Sequence, residues 1–308
     1  MGASSLGSAL RIAILAHEVD GRRNFGLFGI HQLAELWRAD GHSVRFVYGA
    51  SQYEPADVAL LHVDLSQVPA EYTELADRYP LVLNRHILDI RKSRFSELLV
   101  SVDDSWQGPV IVKTDQNYGG EPERIREQSS VWHRLARRAQ RWWGNQSPGV
   151  PNYQIYEHKR LVPEGLFADS DYVVERFLPE RTADGQYRIR SYVFFGGQAD
   201  NYVLTSPSPI VNSRTAHKVE QVPAPSEMDA IRRRHRIDFG KLDYVINEGQ
   251  VRVFDINKTV GSVPLGLEVA GVAAARRRRA NALYSLIEEL RLPAPSDVGG
   301  SPDSSSSE

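Results

Sequence analysis

The stretch that most constrains the fold is DFGKLDYVINEGQVRVFDINKTVG, Asp238 to Gly261. Two apolar runs, Leu242 to Ile246 and Val251 to Ile256, are rich in Val, Ile, Tyr and Phe and flank Asn247-Glu248-Gly249-Gln250, a turn signal. The pattern predicts a β-hairpin. Asp243 and Asp255 interrupt the two runs, and alternation puts Asn257 on the same face as Asp255. Asp and Asn are poor strand formers, so their presence here asks for a reason. Two carboxylates and an amide oxygen converging from rigid strands make a hard-oxygen site suited to Mg²⁺, a cation that binds substrate phosphates. That points to a nucleoside triphosphate. The plain alternative is a surface hairpin with solvated carboxylates, so the rest of the chain must supply a phosphate grip and a base pocket.

Upstream, Arg11 to Ala16 reads as a buried strand, followed by the polar loop His17 to Arg23 and a helix over about Ile30 to Ala39. Strands at Val44 to Tyr48, Val58 to Val63 and Leu81 to Leu83, with a helix at Glu71 to Arg78, continue a parallel α/β rhythm. Loops after such strands, here carrying His17, Glu18 and Asp20, lie where these sheets bind ligands. Gly26 and Gly29 lack the spacing of a dinucleotide fingerprint and read as turn and packing glycines.

A phosphate grip comes next. The strand Gly108 to Thr114 ends in Lys113 and is followed by Asp115-Gln116-Asn117-Tyr118-Gly119-Gly120. A strand lysine beside a glycine turn offers a point charge and backbone N–H donors to phosphate; the plain reading is an edge lysine and a hairpin turn. A helix is expected to open near Asp89 and run through Leu99. The strand Asp171 to Leu178 stops at Pro179 and can continue as extended backbone that hydrogen-bonds a purine edge. Tyr187 to Phe195 puts Arg188 and Arg190 on one face, where buried cations need anionic partners. A helix is expected over Ser226 to Arg236 and a long one over Ala270 to Leu290.

The chain has 308 residues, 41% of them hydrophobic, with 37 basic and 39 acidic side chains, which suits a soluble globular protein of two domains, or three small lobes, with near-balanced charge. Leu10 to Ala16 is too short and strand-like for a signal peptide, and no run reaches membrane-span length. With no cysteine, thiolate metal sites and cysteine nucleophiles are excluded, and a cytoplasmic setting is the default. The basic helix over residues 123–143, with Trp132, Trp142 and Trp143, and the runs Arg232 to Arg234 and Arg276 to Arg279 invite a nucleic-acid reading. Their dispersal over separate helices and the balancing acids favour solvated faces instead. Residues 1–9 read as a flexible leader and 293–308 as a disordered tail.

In their order along the chain these pieces resemble the ATP-grasp superfamily, in particular its carboxylate–amine ligases such as D-alanine–D-alanine ligase, glutathione synthetase and the ribosomal-protein glutamate ligases. The resemblance covers roughly Asn84 to Leu290. It is carried by Asn84 to Ser93, Lys113 to Gly120, Val173 to Leu178, and above all Gly240-Lys241-Leu242-Asp243 with Asp255-Ile256-Asn257. The departures are Val260 where many members have proline, a short segment between Lys92 and Lys113, and an unplaced insertion at Trp142 to Pro151.

The resemblance implies an N-terminal parallel α/β lobe (residues 10–83, substrate side) followed by a two-lobed α+β ATP-grasp domain (84–292). A first lobe and adenine hinge would span 84–178, and a metal-binding lobe 179–292. ATP would lie between the lobes, its phosphates held by Lys92 and Lys113 under Gly119 and Gly120. The hinge, Glu175-Arg176-Phe177-Leu178, would read adenine through the Arg176 carbonyl and the Leu178 N–H, and Glu180 would reach the ribose. Asp243, Asp255 and Asn257 would hold Mg²⁺ or Mn²⁺, and Lys241 with Arg188 or Arg190 would steady the transferring phosphoryl group. Substrates would be a small carboxylate and an amine, with His17, Glu18, Asn24 and Arg85 as candidate contacts and a homodimer compatible with the pattern. The alternatives are a small-molecule kinase with the same ATP site and a non-enzymatic nucleotide-binding protein.

Overall fold

The computed structural model of the chain describes residues 9–20, 28–129, 153–261 and 271–291. The leader, Asn24, Gly26, the tryptophans expected on the basic helix and the tail lie outside these residues.

β1 (Arg11–Ala16), α1 (Gly29–Ala39), β2 (Ser43–Tyr48), β3 (Val58–Leu61), α2 (Ala70–Ala76) and β4 (Val82–Leu83) build a four-stranded parallel sheet of order β2-β1-β3-β4. The burial follows the pattern: β1 and β3 are almost wholly apolar because helices cover both of their faces, as parallel sheets require. The apolar stripe of α1, Ile30, Leu33, Ala34 and Trp37, faces the core.

α3 (Lys92–Phe95), β5 (Val110–Thr114), α4 (Glu121–Ser129), β6 (Gln154–Tyr156), α5 (Glu164–Ala168) and β7 (Tyr172–Arg176) follow, with an antiparallel sheet of order β6-β5-β7. The helix expected from Asp89 to Leu99 is therefore only one turn long. Asp115 sets where it begins. Its carboxylate accepts hydrogen bonds from Ser93 N (2.7 Å) and Ser93 Oγ (2.8 Å), fixing the start of the turn. The chain then runs extended, and Leu99 bridges Glu175.

The third sheet is six-stranded and antiparallel. It comprises β8 (Glu180–Arg181), β9 (Tyr187–Phe195), β10 (Gln198–Ser206), β11 (Lys218–Val222), β12 (Phe239–Asn247) and β13 (Gln250–Asn257), ordered β11-β10-β9-β12-β13 with β8 beside β9. α6 (Met228–Arg234) precedes β12, and α7 (Val272–Arg291) ends the described chain. The expected hairpin is β12–β13, and its turn takes left-handed φ at Glu248 (51°) and Gly249 (76°), the signature of a tight two-residue hairpin loop. The expected architecture, a parallel α/β lobe followed by antiparallel α+β lobes, is the observed one. Sequence pattern missed the short β8 and the edge strand β11.

One core spans the parallel sheet and the third sheet. Trp37, Ile30 and Leu33 pack with Phe195, Phe239, Leu283 and Leu286. The indole N–H of Trp37 donates to Ala280 O at 2.9 Å, which satisfies the one polar atom of a ring only 1% exposed. A second joint lies directly after β4. Asn84 is fully buried and sits at φ 60°, the left-handed region that Asn tolerates better than other side chains. Its Oδ1 accepts from Asp238 N (2.9 Å) and Phe239 N (3.0 Å), and its Nδ2 donates to Phe239 O (2.8 Å). Its own N–H donates to the Asp238 carboxylate at 2.6 Å. Among the described residues, no helix is long and apolar enough to cross a membrane.

Replacing Asn84 should show how much this joint carries. Asn84→Gly keeps the backbone freedom and deletes the amide, leaving buried partners unpaired, and should cost about 3–5 kcal/mol in urea unfolding. Asn84→Ala should cost about 1 kcal/mol more, because a Cβ without hydrogen-bonding capacity is strained at this φ. A loss below 1 kcal/mol in the glycine variant would show that the joint is not structural.

Candidate functional site

Cross-strand register assembles the site. On the hairpin, Asp243 lies directly opposite Asp255 and Lys241 opposite Asn257, so all four share one face of the sheet. On the other side of β12, Asp243 faces Ser191 and Lys241 faces Val193. This is the face that packs Phe239 and Phe195 into the shared core, and it turns polar from Lys241 onward. A β-bulge between Asp243 and Tyr244 shifts the register beyond the acids, a device that re-aims side chains beside sites.

Every charge on this face is held. Lys241 Nζ pairs with Asp243 Oδ2 at 2.6 Å, and Ser191 Oγ donates to Asp243 Oδ1 at 2.5 Å. Asn257 Nδ2 donates to Asp255 Oδ2 at 2.8 Å. Asp255 Oδ1 is buried without a hydrogen bond and has Lys92 Nζ at 3.5 Å. Burial pushes the Asp243 carboxyl up, Lys241 pulls it down and Asp255 pushes it up again, leaving it above the usual range. Burial works against the Lys241 ammonium, but the Asp243 and Asp255 carboxylates more than offset it and raise its pKa.

Lys92 arrives from the neighbouring sheet. Its backbone N–H donates to Asp115 O (3.1 Å) and its ammonium to Gln116 O (2.9 Å), while the side chain is 3% exposed. Directly after it in space comes the glycine turn, where Tyr118, Gly119 and Gly120 all have left-handed φ, 51°, 69° and 70°. Asn117 N donates to Ser66 Oγ (2.7 Å), and Ser66 N donates to Glu123 Oε1 (2.7 Å), so the turn is moored to the loop after β3. Lys113, on β5, pairs with the fully buried Glu175 of β7 at 2.6 Å and lies 4.5 Å from the Phe254 ring centroid.

Not every expected residue reaches this face. Arg190 lies opposite Tyr244 on β12, so its side chain is on the sheet face away from Asp243. It forms a double hydrogen-bonded pair with Glu180 (2.8 and 2.9 Å), and Glu180 also accepts from Ile246 N at 2.7 Å. Arg188 shares that face, with Nε buried and unpartnered. In the hinge, Arg176 N and Phe177 N donate to Leu98 O and Pro109 O. The Arg176 guanidinium sits 5.3 Å from the Trp106 ring centroid and 3.4 Å from Asp104. At the ends of the parallel strands, His17 is buried and its Nδ1 accepts from Val19 N, Glu18 is exposed, and Arg85 is a surface partner of Asp77. Asn24 lies outside the described residues.

The structure adds residues that pattern reading missed. Tyr153 is pushed up by burial and then by the Asp255 charge, with Glu175 and Asp243 acting the same way and Lys113 against them. Ser191 interrupts an aromatic strand opposite Asp243, a signal that only register makes readable. Lys258 and His62 are fully buried, with Lys258 Nζ and both His62 ring nitrogens lacking any hydrogen bond. Burial brings the Lys258 ammonium down to about 8 and the His62 ring down to about 3.

No protein-family model matches the chain, and no curated protein matches it in sequence. Among solved structures it is similar to a D-alanine–D-alanine ligase from Bacillus anthracis complexed with ATP, at TM-score 0.48 and 11% identity over 91% of this chain and 100% of that one. It is also similar to a RimK domain ATP-grasp protein from Sphaerobacter thermophilus, at TM-score 0.47 and 14% identity over 90% of this chain and 99% of that one. A third is D-cycloserine synthetase DcsG, at TM-score 0.45 and 13% identity over 90% and 99%.

Two measurements bear on this geometry. Glu175→Leu should destabilise by about 3–5 kcal/mol, because it strands the buried Lys113 charge, and Lys113→Met in the same chain should recover most of that loss. Additive losses in the double-mutant cycle would mean that the two side chains are not coupled. For His62, the folded value near 3 lies below the unfolded 6.5, so the unfolded chain takes up the proton first as pH falls. Its contribution is intact above pH 6.5 and is lost from there down to about 3, by roughly 1.4 kcal/mol per pH unit. His62→Phe should flatten the wild-type stability profile across that window; parallel profiles would exclude a buried neutral imidazole.

Proposed function

We propose that the chain is an ATP-dependent carboxylate–amine ligase. The observation that carries this reading is the meeting of Lys92, from the sheet with the glycine turn, with Asp255 on the hairpin face that also holds Lys241 and Asp243. Cations suited to phosphate and carboxylates suited to a divalent ion thus face one another across the boundary between two sheets. The motif resemblance assigns the same residues the same tasks.

The hairpin also suits Mg²⁺ or Mn²⁺ chemically. Asp255 Oδ1 is a buried carboxylate oxygen that accepts no hydrogen bond, and the directly opposed Asp243 and Asp255 repel each other, which a dication relieves. Among the described residues no three His, Cys, Asp or Glu side chains group as metal ligands, so the donor set is two carboxylates with the Asn257 amide. Bound there, the ion would neutralise phosphate charge. Lys92 and Lys113 would exchange their present carboxylate partners for nucleotide oxygens, and the extended Phe177–Pro179 backbone would meet the base.

In the reaction, a substrate carboxylate oxygen attacks the terminal phosphorus of ATP and ADP leaves. The amine then attacks the acyl carbon, phosphate leaves, and the amine proton is lost. The chain supplies positioning and charge rather than a covalent nucleophile. Lys241, on the polar face beside Asp243, is the residue placed to hold the carboxylate. Arg188 and Arg190, on the far face, have no part in this reading, and Glu180 is a partner of Arg190. The parallel sheet, residues 10–83, would form the substrate side. Consumption of ATP suits a cytoplasmic enzyme.

The decisive experiment is a pairwise screen of small carboxylates and amines for ATP-dependent phosphate release, followed by isotope tracing. Oxygen-18 placed in the substrate carboxylate should appear in the released phosphate; oxygen-18 retained wholly in the product would replace the ligase by a kinase. Lys241→Met should leave ATP affinity within about threefold and slow phosphate release by on the order of 10²-fold. Asp255→Asn should abolish the dependence of ATP affinity on Mg²⁺ concentration while the melting temperature holds or rises. Wild-type turnover in that variant would remove Asp255 from the site.

A further inference from the structure

Lys258 is left over by everything described so far. It is the residue after Asn257, wholly buried, and its ammonium makes no hydrogen bond. Its acidic neighbours are Asp64, Asp89 and Glu123, whose charges reach it. Each is committed elsewhere. Asp64 Oδ1 accepts from Thr259 Oγ1 (2.5 Å), Asp89 pairs with Arg91 (2.7 Å), and Glu123 Oε1 accepts from Ser66 N (2.7 Å). An ammonium buried without a partner is among the costliest groups a fold can carry, and buried polar groups left unpaired call for an explanation.

A second orphan adjoins it. His62 follows β3 directly, at the carboxyl end of the parallel sheet, where open α/β sheets receive ligands. Both its ring nitrogens are buried without a hydrogen-bond partner, its ring packs on Phe28 and Phe239, and Asp64, two residues on, accepts from Thr259, the neighbour of Lys258. One unpaired cation and one unpaired imidazole thus stand together between the parallel sheet and the end of the acid-bearing hairpin. Lys92 and Lys113 sit on the other side, against Asp255 and Glu175.

We propose that Lys258, with His62 beside it, is the contact for a second anionic group on the substrate, a carboxylate other than the one that is phosphorylated. The ammonium would gain the hydrogen-bond partner it lacks, and the imidazole would add a second hydrogen bond. Lys258 is not one of the lysines that pair with Asp255 and Glu175 and are assigned to the nucleotide phosphates, so its anion is assigned to the substrate. That assignment rests on the ligase reading; the existence of an anion subsite does not.

The test uses the full chain, titrated by calorimetry without nucleotide. The probes are succinate, glutarate and adipate, each against its half-amide. The wild type should bind at least one dicarboxylate about tenfold or more tightly than its half-amide, the usual scale of a charged hydrogen bond. Lys258→Met should erase that preference, Lys258→Arg should retain part of it, and neither should change ATP affinity by more than about twofold. Three outcomes overturn the proposal. They are a wild type with no dicarboxylate preference, a preference that survives Lys258→Met, and a loss of ATP affinity that parallels the loss of dicarboxylate. Lys258→Met should melt no lower than wild type, since it removes an unpaired buried charge; a lower melting temperature in both variants would mark a structural lysine and overturn it too. A wild type that never turns over ATP refutes the ligase reading alone, because these titrations contain none.

Discussion

The arrangement depends on the Asn84 joint. One side chain, placed immediately after the last parallel strand, satisfies three backbone groups at the start of β12. Lys241 and Asp243 follow two and four residues later on that strand. The position of the acid-bearing face relative to the parallel sheet is therefore set by amide hydrogen bonds rather than by apolar packing, which tolerates sliding. Packing then reinforces the choice, since Phe239 itself belongs to the shared core.

Around the hairpin, charge is stored in close pairs rather than spread. Lys241 with Asp243 and Lys113 with Glu175 are contacts of 2.6 Å, and Lys92 reaches Asp255 at 3.5 Å. Such pairs hold long side chains in defined positions and keep each cation available for exchange with a stronger anion. Pairs of this kind do little for net stability, because desolvation offsets most of their attraction. Their value lies in placement. The same logic makes the unpaired Lys258 conspicuous.

Much of this was legible in the sequence, and the limits have physical causes. The hairpin was readable because period-two alternation, the Glu248-Gly249 turn and two misplaced acids agree. The parallel lobe was readable because its strands are continuous apolar runs. Alternation also placed Arg188 and Arg190 correctly on one face, but which face is decided by pairing Ser191 with Asp243 and Arg190 with Tyr244. Cross-strand register is a tertiary fact, invisible in either strand alone. The helix expected after Asp89 failed for a related reason, since Asp115, more than twenty residues away, dictates where the turn begins. Nothing local in the sequence marks Lys258 as buried.

The clasp between Trp37 and Ala280 has a consequence for how the molecule is made. α1 lies near the start of the described residues and α7 is the last helix described, yet Ile30, Leu33 and Trp37 share one core with Leu283 and Leu286. During synthesis the apolar face of α1 therefore stays without this cover until Leu283 and Leu286 have been joined. Until then that face is open to non-native contacts, and a force drawing α1 and α7 apart would load the core they share instead of peeling the lobes apart in turn.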